Sequence, residues 1–547
     1  MNVTGAQIVV YLLERLGVTT VAGIPGGPIL PLYDALGVSS ISHILARHEQ
    51  GAGFIAQGMA RVTGKAGVCL ATSGPGATNL LTALADAKAD SIPLVALTAN
   101  VPKPLMGTDA FQEVDFFTLA MPVTKHNFLV EEASDLFRVV PEAFRLAESP
   151  RPGPISVDIP KDVLTQTVEI EAWPELLKLP QDGALSEEPD DAWIEAVAGA
   201  LASSSRPVIY AGGGAAASWE ALRAFARAEG IPVVTTLMGL GLMDPADPLW
   251  LGMIGMHGSS RANLAVAQAD LVLALGVRFD DRATGKVDDF CPAAVVVHVD
   301  LDRAELGKNH RVDFGWTGDV GRFLEALEPR WPLRTVHRVE FDPESLFRTL
   351  AEAVGSDALV TTDVGQHQMW AAQYFPVRRP GTFLTSGGLG TMGFGLPAAI
   401  GAALAKKGQR VVCLTGDGSI LMNVQELATV AELGLPITIV VFNNGGLGLV
   451  RQQQELFYGA RFVANGLPGG PDFLALARAF GLKAWKVSGL TTARKVFDEA
   501  LAHPGPGLVE VTVTSHALVF PMVAPGAANI DALTARPRRL EPWNATN

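Results

Sequence analysis

From Thr4 onward, apolar residues recur at helical spacing through Val9, Leu12, Leu13 and Leu16, and Gly17 follows as a stop. The chain therefore opens on an amphipathic helix with Thr4 as its N-cap. The pattern then changes to short apolar runs that end in glycine turns and lead into helical stretches, as in VTTVAGIPGG, VCLATSGPGATNLLTALADA, PLVALTANV and PISVDIPKD. Runs that are apolar at every position predict strands buried on both faces, which is how parallel sheets covered by helices read. The alternation breaks twice. From about residue 165 to 192, and again around 328 to 342, the chain is polar, charged and proline-containing, as a linker is. Between the breaks come PVIYAGGG, VVTTLMGLG, LVLALGVRF, AVVVHVDLD and GWTGDV; after them come ALVTTDVG, TFLTSGGLG, RVVCLTGDG, ITIVVFNN and LVEVTV. The expectation is α/β: three doubly wound parallel-sheet domains in series, over 1–165, 190–328 and 343–547, with no short-period repeat.

Composition narrows the function classes. A chain of 547 residues is too long for one core, and with 48% apolar and 18% charged residues it can bury several. The net charge of −14 argues against a nucleic-acid partner, which needs a surplus of Lys and Arg, but leaves small anionic substrates open. Cys69, Cys291 and Cys413 form neither a paired framework nor a metal spacing, and Cys69 and Cys413 lie in apolar runs that read as core strands. The N-terminus MNVTGAQ lacks signal-peptide character, and no apolar run is long enough to span a membrane. A soluble cytoplasmic protein is expected, without membrane or nucleic-acid partners.

The most specific local signal is Gly416-Asp417-Gly418 after the strand RVVCLT, paired with Asn443-Asn444 after ITIVVF. Mg²⁺ prefers oxygen ligands and commonly bridges one or two protein groups to phosphate. Asp417 would supply a carboxylate, Asn444 an amide oxygen and Gly446 a backbone carbonyl, while a helix starting near Ser419 would aim its N-terminus at the anion. The flanking glycines would let the backbone approach it closely. GDG alone is an ordinary turn, but GDG followed by NN at this distance resembles the thiamine-diphosphate signature.

That resemblance implies thiamine diphosphate, Mg²⁺ and a set of site residues. Glu49 in RHEQGAGFIAQGMAR matches the family acid that hydrogen-bonds the aminopyrimidine ring and shares a proton with it. Glyoxylate carboligases of the family lack this acid, so Glu49 counts against them. Gly365, Gln366 and His367, together with Gly416, Gly418 and Ser419, would surround the cofactor. Gly390 and Met392 in SGGLGTMGFG would bind its pyrimidine through backbone groups, with core packing as the plainer role for Met392. Because the family binds the two ends of the cofactor with different subunits, a homodimer or a dimer of dimers is implied.

Five further segments, GTDAFQEVD, RPGPISVDIPKD, LGMIGMHG, LGVRFDDRATGK and VFPMVAPGAAN, make nearly the whole chain resemble the catalytic subunit of acetohydroxyacid (acetolactate) synthase. The resemblance implies an enzyme that decarboxylates pyruvate and joins the two-carbon unit to a second 2-oxo acid, sometimes with a separate regulatory subunit. Phe111 and Gln112 would line the reaction centre and Lys161 its entry, unless Lys161 is only a solvated cation. Arg282 would bind the acceptor carboxylate beside Met256; its plainer role is an ion pair with Asp280 or Asp281. In the middle domain, Gly212, Gly213 and Gly214 are not a GxGxxG fingerprint. Together with Thr236, Leu237, Met238, Gly255, His257, Gly258, Gly276, Arg278, Asp280, Arg282, Asp300 and Asp319, however, they match the family's contacts to FAD, which would be structural. One position departs from the biosynthetic enzymes: Gln453 stands where they usually carry the Trp associated with 2-oxobutanoate preference, so pyruvate is expected as the main acceptor. A 2-oxo acid decarboxylase or broad carboligase, a flavin-dependent pyruvate oxidase, and a non-catalytic cofactor-binding subunit are the other readings.

Overall fold

The computed structural model describes residues 1–175, 189–327, 342–355, 358–467, 470–487, 489–513 and 517–535. Of the linkers expected over about 165–192 and 328–342, residues 176–188 and 328–341 lie outside the described residues; Thr167–Glu169, expected as linker, is instead a strand paired with Asn2–Thr4, so the first unit runs past 165. The first helix, Gly5–Arg15, is closed by a reciprocal capping box in which the Thr4 hydroxyl accepts from Gln7 N and the Gln7 side chain accepts from Thr4 N.

The first unit contains β1 (Asn2–Thr4), β2 (Thr20–Gly23), β3 (Ser42–Leu45), β4 (Gly67–Ala71), β5 (Leu94–Asn100), β6 (His126–Leu129), β7 (Pro154–Pro160) and β8 (Thr167–Glu169). β2 to β7 form a six-stranded parallel sheet in the order β3-β2-β4-β5-β7-β6, and β1 and β8 form a short antiparallel clasp at its side. β4, β5 and β7 are buried at every position, which is why their sequences are mostly apolar; the buried exceptions Thr98 and Asn100 on β5 both donate to Asp158 on β7.

The second unit carries β9 (Pro207–Ala211), β10 (Val233–Thr235), β11 (Trp250–Met253), β12 (Leu271–Leu275), β13 (Val295–Asp300) and β14 (Phe314–Thr317), in the order β11-β10-β9-β12-β13-β14. This is the strand order of dinucleotide-binding folds. The third carries β15 (Leu359–Thr362), β16 (Phe383–Leu384), β17 (Val411–Gly416), β18 (Ile437–Asn443), β19 (Lys483–Val487) and β20 (Gly507–Thr512), in the order β16-β15-β17-β18-β20-β19. Counted from its own first strand, the third sheet repeats the order of the first. Three parallel α/β sheets in series are thus present, and two of them share a topology.

The first and third units pack through the helices Glu49–Thr63 and Gly395–Ala405, whose apolar residues Ile55, Ala56, Leu396, Ala399 and Ile400 belong to one continuous core. The crossing is close because glycine occupies the contact on both sides: a Cβ at Gly58 would lie 2.3 Å from the Ala398 carbonyl oxygen, and one at Gly401 2.0 Å from that of Ile55. Cys69 and Cys413 are free and buried on β4 and β17, and burial pushes the Cys69 thiol up to about 12, so both serve as core residues.

Candidate active site

In a doubly wound sheet, ligands bind beyond the carboxyl ends of the strands where neighbouring connections diverge. In the third sheet that point lies between β15 and β17. β17 ends at Gly416, and the helix Asp417–Ile420 begins at once, two residues earlier than the expected start at Ser419. The reason is local: Gly416 is extended and acts as N-cap, and Asp417 Oδ1 accepts from Gly418 N at 3.1 Å. β18 pairs in register beside β17, with Gly416 opposite Phe442, and so delivers Asn444 next to Asp417. Gly446 N donates to both Asp417 Oδ2 (2.9 Å) and Asn444 Oδ1 (3.1 Å). The three residues expected to hold magnesium are therefore drawn together, with the Gly446 N–H facing the Asp417 and Asn444 oxygens. Burial pushes the Asp417 carboxyl up, and a cation beside it is what would favour the charged form.

These groups border a cavity of about 160 Å³. Of the residues expected around the cofactor, Gly365, Gln366, His367, Met392, Gly416, Asp417, Gly418, Ser419, Asn444 and Gly446 all line it; Gly390, expected with Met392 at the pyrimidine, does not. Trp370, Phe442 and Val513 complete an apolar wall. His367 is buried, which pushes its imidazole down to about 3 and keeps it neutral, and its Nε2 is a buried polar atom without a protein partner. A Cβ at Gly416 would lie 3.1 Å from the His367 ring, and one at Gly418 2.8 Å from Leu447 Cδ2, so side chains there would intrude on the cradle. A lone carboxylate, an amide oxygen, a carbonyl, an unpartnered imidazole nitrogen and glycine-lined walls suit a magnesium diphosphate.

A second polar chain was not foreseen. Asn444 Nδ2 donates to Gln366 Oε1 (3.1 Å), Gln366 Nε2 to Gln452 Oε1 (3.0 Å), and Gln452 Nε2 to the Val519 carbonyl (2.8 Å). Gln452, fully buried on the helix Gly448–Phe457, ties the cavity to the late segment. Gln453 follows it, half-buried.

The first unit gathers another group at its own divergence point, between β2 and β4. Glu49 opens the helix Glu49–Thr63, is buried, and accepts from Asn79 Nδ2 at 2.9 Å through Oε2. Asn79, unnoticed in the sequence, lies in the same GPGATN turn that touches Gln112: a Cβ on Gly74 would lie 2.9 Å from Gln112 Cα. Gln112 adopts φ of 59°, Phe111 is 88% exposed, and Lys161 is half-buried at the start of the helix Lys161–Thr165. None of these residues lines the Asp417 cavity of the same chain.

In the middle sheet, Gly212, Gly213 and Gly214 follow β9, Thr236, Leu237 and Met238 follow β10, and Gly255, His257 and Gly258 follow β11. Gly276, Arg278, Asp280 and Arg282 follow β12, Asp300 ends β13, and Asp319 follows β14. All therefore lie on one rim of a parallel sheet. Gly212 and Gly276 meet at the divergence point, where a Cβ on Gly212 would be 2.4 Å from the Gly276 carbonyl oxygen. His257 Nδ1 is buried without a partner, and burial holds its ring down to about 4. Burial pushes Asp300 up to about 6, while Asp280 and Asp319 cap helices.

Met256 N donates to the Arg282 carbonyl (2.9 Å), and Arg282 Nη1 lies 3.7 Å from Met256 Sδ. The Arg282–Asp281 contact, at 3.8 Å with both side chains largely exposed, contributes little. The late segment returns over this pair: Val523 N donates to the Met256 carbonyl and Asn529 Nδ2 to that of Ala283. Arg282 is thereby linked, through residues 519–529, to the helix that carries Gln452 and Gln453.

Among the described residues, no helix is long and apolar enough to cross a membrane. Family models for thiamine pyrophosphate enzymes match in chain order: the N-terminal TPP binding domain over 3–119, the central domain over 194–327 and the C-terminal TPP binding domain over 363–511. The chain is 49% identical to the acetolactate synthase isozyme 1 large subunit of Escherichia coli, over 96% of this chain and 97% of that one. It is 46% identical to the isozyme 2 large subunit of the same organism, over 97% and 99%. The chloroplastic acetolactate synthase 2 of Nicotiana tabacum is 44% identical over 97% of this chain and 85% of its own. Matched domain by domain and along nearly its whole length, the chain belongs to the acetolactate synthase family of thiamine pyrophosphate enzymes.

Proposed function

We propose that the enzyme uses pyruvate as both donor and main acceptor, forming 2-acetolactate with release of carbon dioxide. As a member of its family it is a transferase dependent on thiamine diphosphate and Mg²⁺, and acetolactate places it at the entry to branched-chain amino acid biosynthesis. Thiamine diphosphate, when bound, supplies the carbon nucleophile and the electron sink for decarboxylation.

The chain's own residues do the rest. Asp417, Asn444 and Gly446 would hold the metal, and His367 would meet the diphosphate through Nε2, which can donate to it only in the protonated form that an adjacent anion favours. Glu49 exchanges a proton with the aminopyrimidine nitrogen; the Asn79 amide occupies Oε2 and leaves Oε1 for that exchange. Gln112 and Phe111 border the reacting carbons, and Lys161 the entry. Arg282, beside Met256, takes the acceptor carboxylate, a task suited to a planar guanidinium. Gln453 leaves the acceptor pocket without an aromatic wall. The observation that carries this reading is the convergence of Asp417, Asn444, Gly446 and the unpartnered His367 nitrogen on one cavity.

FAD is assigned to the rim of the middle sheet as a structural group. The dinucleotide-type strand order and the unpartnered His257 Nδ1 support it. A homodimer or dimer of dimers is supported by Glu49 lying outside the cavity that Asp417 lines, and a separate regulatory subunit is compatible with relatives that are named large subunits. Three free, buried cysteines fit a reducing cytoplasm.

The test supplies pyruvate alone and then with equimolar 2-oxobutanoate, and quantifies the products. Acetolactate as the main product of both reactions is expected. Acetaldehyde as the main product, or a preference of about tenfold or more for the four-carbon acid, would overturn the reading.

A further inference from the structure

Two carboxylates of the first unit reach across to the third beside the cofactor cavity. The helix Leu81–Ala89 ends at Asp90, whose side chain is fully buried. Asp90 Oδ2 accepts from Gly387 N at 3.0 Å and Oδ1 from Gly388 N at 2.6 Å, and Arg61 Nη2 lies 2.9 Å from Oδ2. One turn earlier, Asp86 accepts from the Ser386 hydroxyl and, at 3.1 Å, from Thr391 Oγ1. Both ends of the loop Ser386–Thr391 are thus tied to a single helix of another domain. Met392, the next residue, lines the cavity. The helix end is itself pinned from the middle unit, because Arg278 donates to the Ala89 carbonyl.

A buried carboxylate pair costs desolvation energy that apolar side chains of the same volume would avoid, so stability alone is a poor reason to place it there. What Asp90 supplies is geometric. Two consecutive backbone N–H groups of a glycine loop each meet one carboxylate oxygen, which fixes both the position and the tilt of the loop. Gly390 within it adopts φ of 66°.

We propose that Asp90 is a positioning residue: it holds Ser386–Met392 in the shape that receives the pyrimidine end of thiamine diphosphate, and so sets cofactor affinity from another domain. The proposal rests on the thiamine diphosphate site described above.

The test uses the full-length protein stripped of cofactor, titrated calorimetrically with thiamine diphosphate in excess Mg²⁺, with hydrogen exchange followed at residues 386–392. In Asp90→Asn only one oxygen remains to accept, and the amide NH₂ faces the other loop N–H. Affinity is expected to fall about tenfold, the loss of one hydrogen bond to a charged acceptor. The amides of Gly387 and Gly388 should lose protection, and pyruvate turnover should recover at saturating cofactor. Gly388→Ala strains the same contact with Asp90 intact, since its Cβ would lie 2.8 Å from Ala89 Cβ and 2.9 Å from Asp90 Oδ1; it should weaken the cofactor likewise, and it carries the test if Asp90→Asn does not fold. Unchanged affinity and unchanged loop exchange, with only a smaller fraction of protein able to bind, would overturn the proposal. Wild-type protein that fails to bind thiamine diphosphate would instead overturn the site reading beneath it.

Discussion

Replacing Gly401 by Ala perturbs the contact that carries Glu49. The new Cβ would lie 2.0 Å from the Ile55 carbonyl oxygen and 2.8 Å from Met59 N, where real Cβ contacts essentially never fall below 3.0 Å. Both obstructing atoms are backbone and cannot rotate away, so the helices Glu49–Thr63 and Gly395–Ala405 must separate locally by about 1 Å. Overpacking of this kind costs ~1–3 kcal/mol, and two backbone clashes put the cost at the upper end. The helix preference of Ala over Gly returns up to about 1 kcal/mol, which leaves a net loss of about 2 kcal/mol. The same shift moves Glu49, the first residue of the displaced helix, and a misplacement of about 1 Å at a reacting group costs on the order of 100-fold in rate. Denaturant unfolding of the apoprotein and acetolactate formation at saturating cofactor measure the two effects separately. A Gly401→Ala enzyme with wild-type stability and turnover would refute the argument that this crossing fixes Glu49.

Three other outcomes follow from the site. Asp417→Asn keeps the shape but removes the only carboxylate among the proposed metal donors, and Mg²⁺-dependent thiamine diphosphate binding should weaken about tenfold or more by calorimetry. Gln453→Trp adds a wall to the acceptor pocket and should shift competition toward 2-oxobutanoate by up to about 100-fold, the range that one methylene contact allows. His367 is held down to about 3 in the folded protein, against about 6.5 when unfolded. The unfolded chain therefore binds the extra proton below pH ~6.5, and stability present above that pH drains as pH falls toward ~3, by about 1.4 kcal/mol per unit. His367→Gln lacks that slope, so its stability relative to wild type should improve by about 2 kcal/mol between pH 6.5 and 5 in denaturant unfolding; an unchanged difference would contradict the assignment.

Much of the fold was legible because burial on both faces leaves a plain mark: GVCLA and VVCL are apolar throughout, and both lie in central strands. The shared strand order of the first and third sheets was not legible, since order is set by how helices cross over and not by any local pattern. The metal site was readable because Asp417 and Asn444 end adjacent strands at a recognisable spacing. Asn79, Gln452 and Asp90 escaped notice for the opposite reason. Each is an ordinary polar residue on or beside a helix, and its role comes from partners 30, 67 and almost 300 positions away. The start of the helix at Asp417 was misjudged because the extended conformation of Gly416, which makes it the cap, has no signature in sequence.

The most direct measurement compares acetolactate formation from pyruvate by wild-type and Glu49→Gln proteins that carry equal amounts of thiamine diphosphate and Mg²⁺, with bound cofactor quantified in both. The substitution keeps the volume and the contact with Asn79 but removes the exchangeable proton. Acetolactate production by the wild type and a loss of about 100-fold or more in the variant at equal cofactor content is the result expected of a carboligase activated by this acid. Equal turnover by the two proteins, or no acetolactate from either, would contradict it.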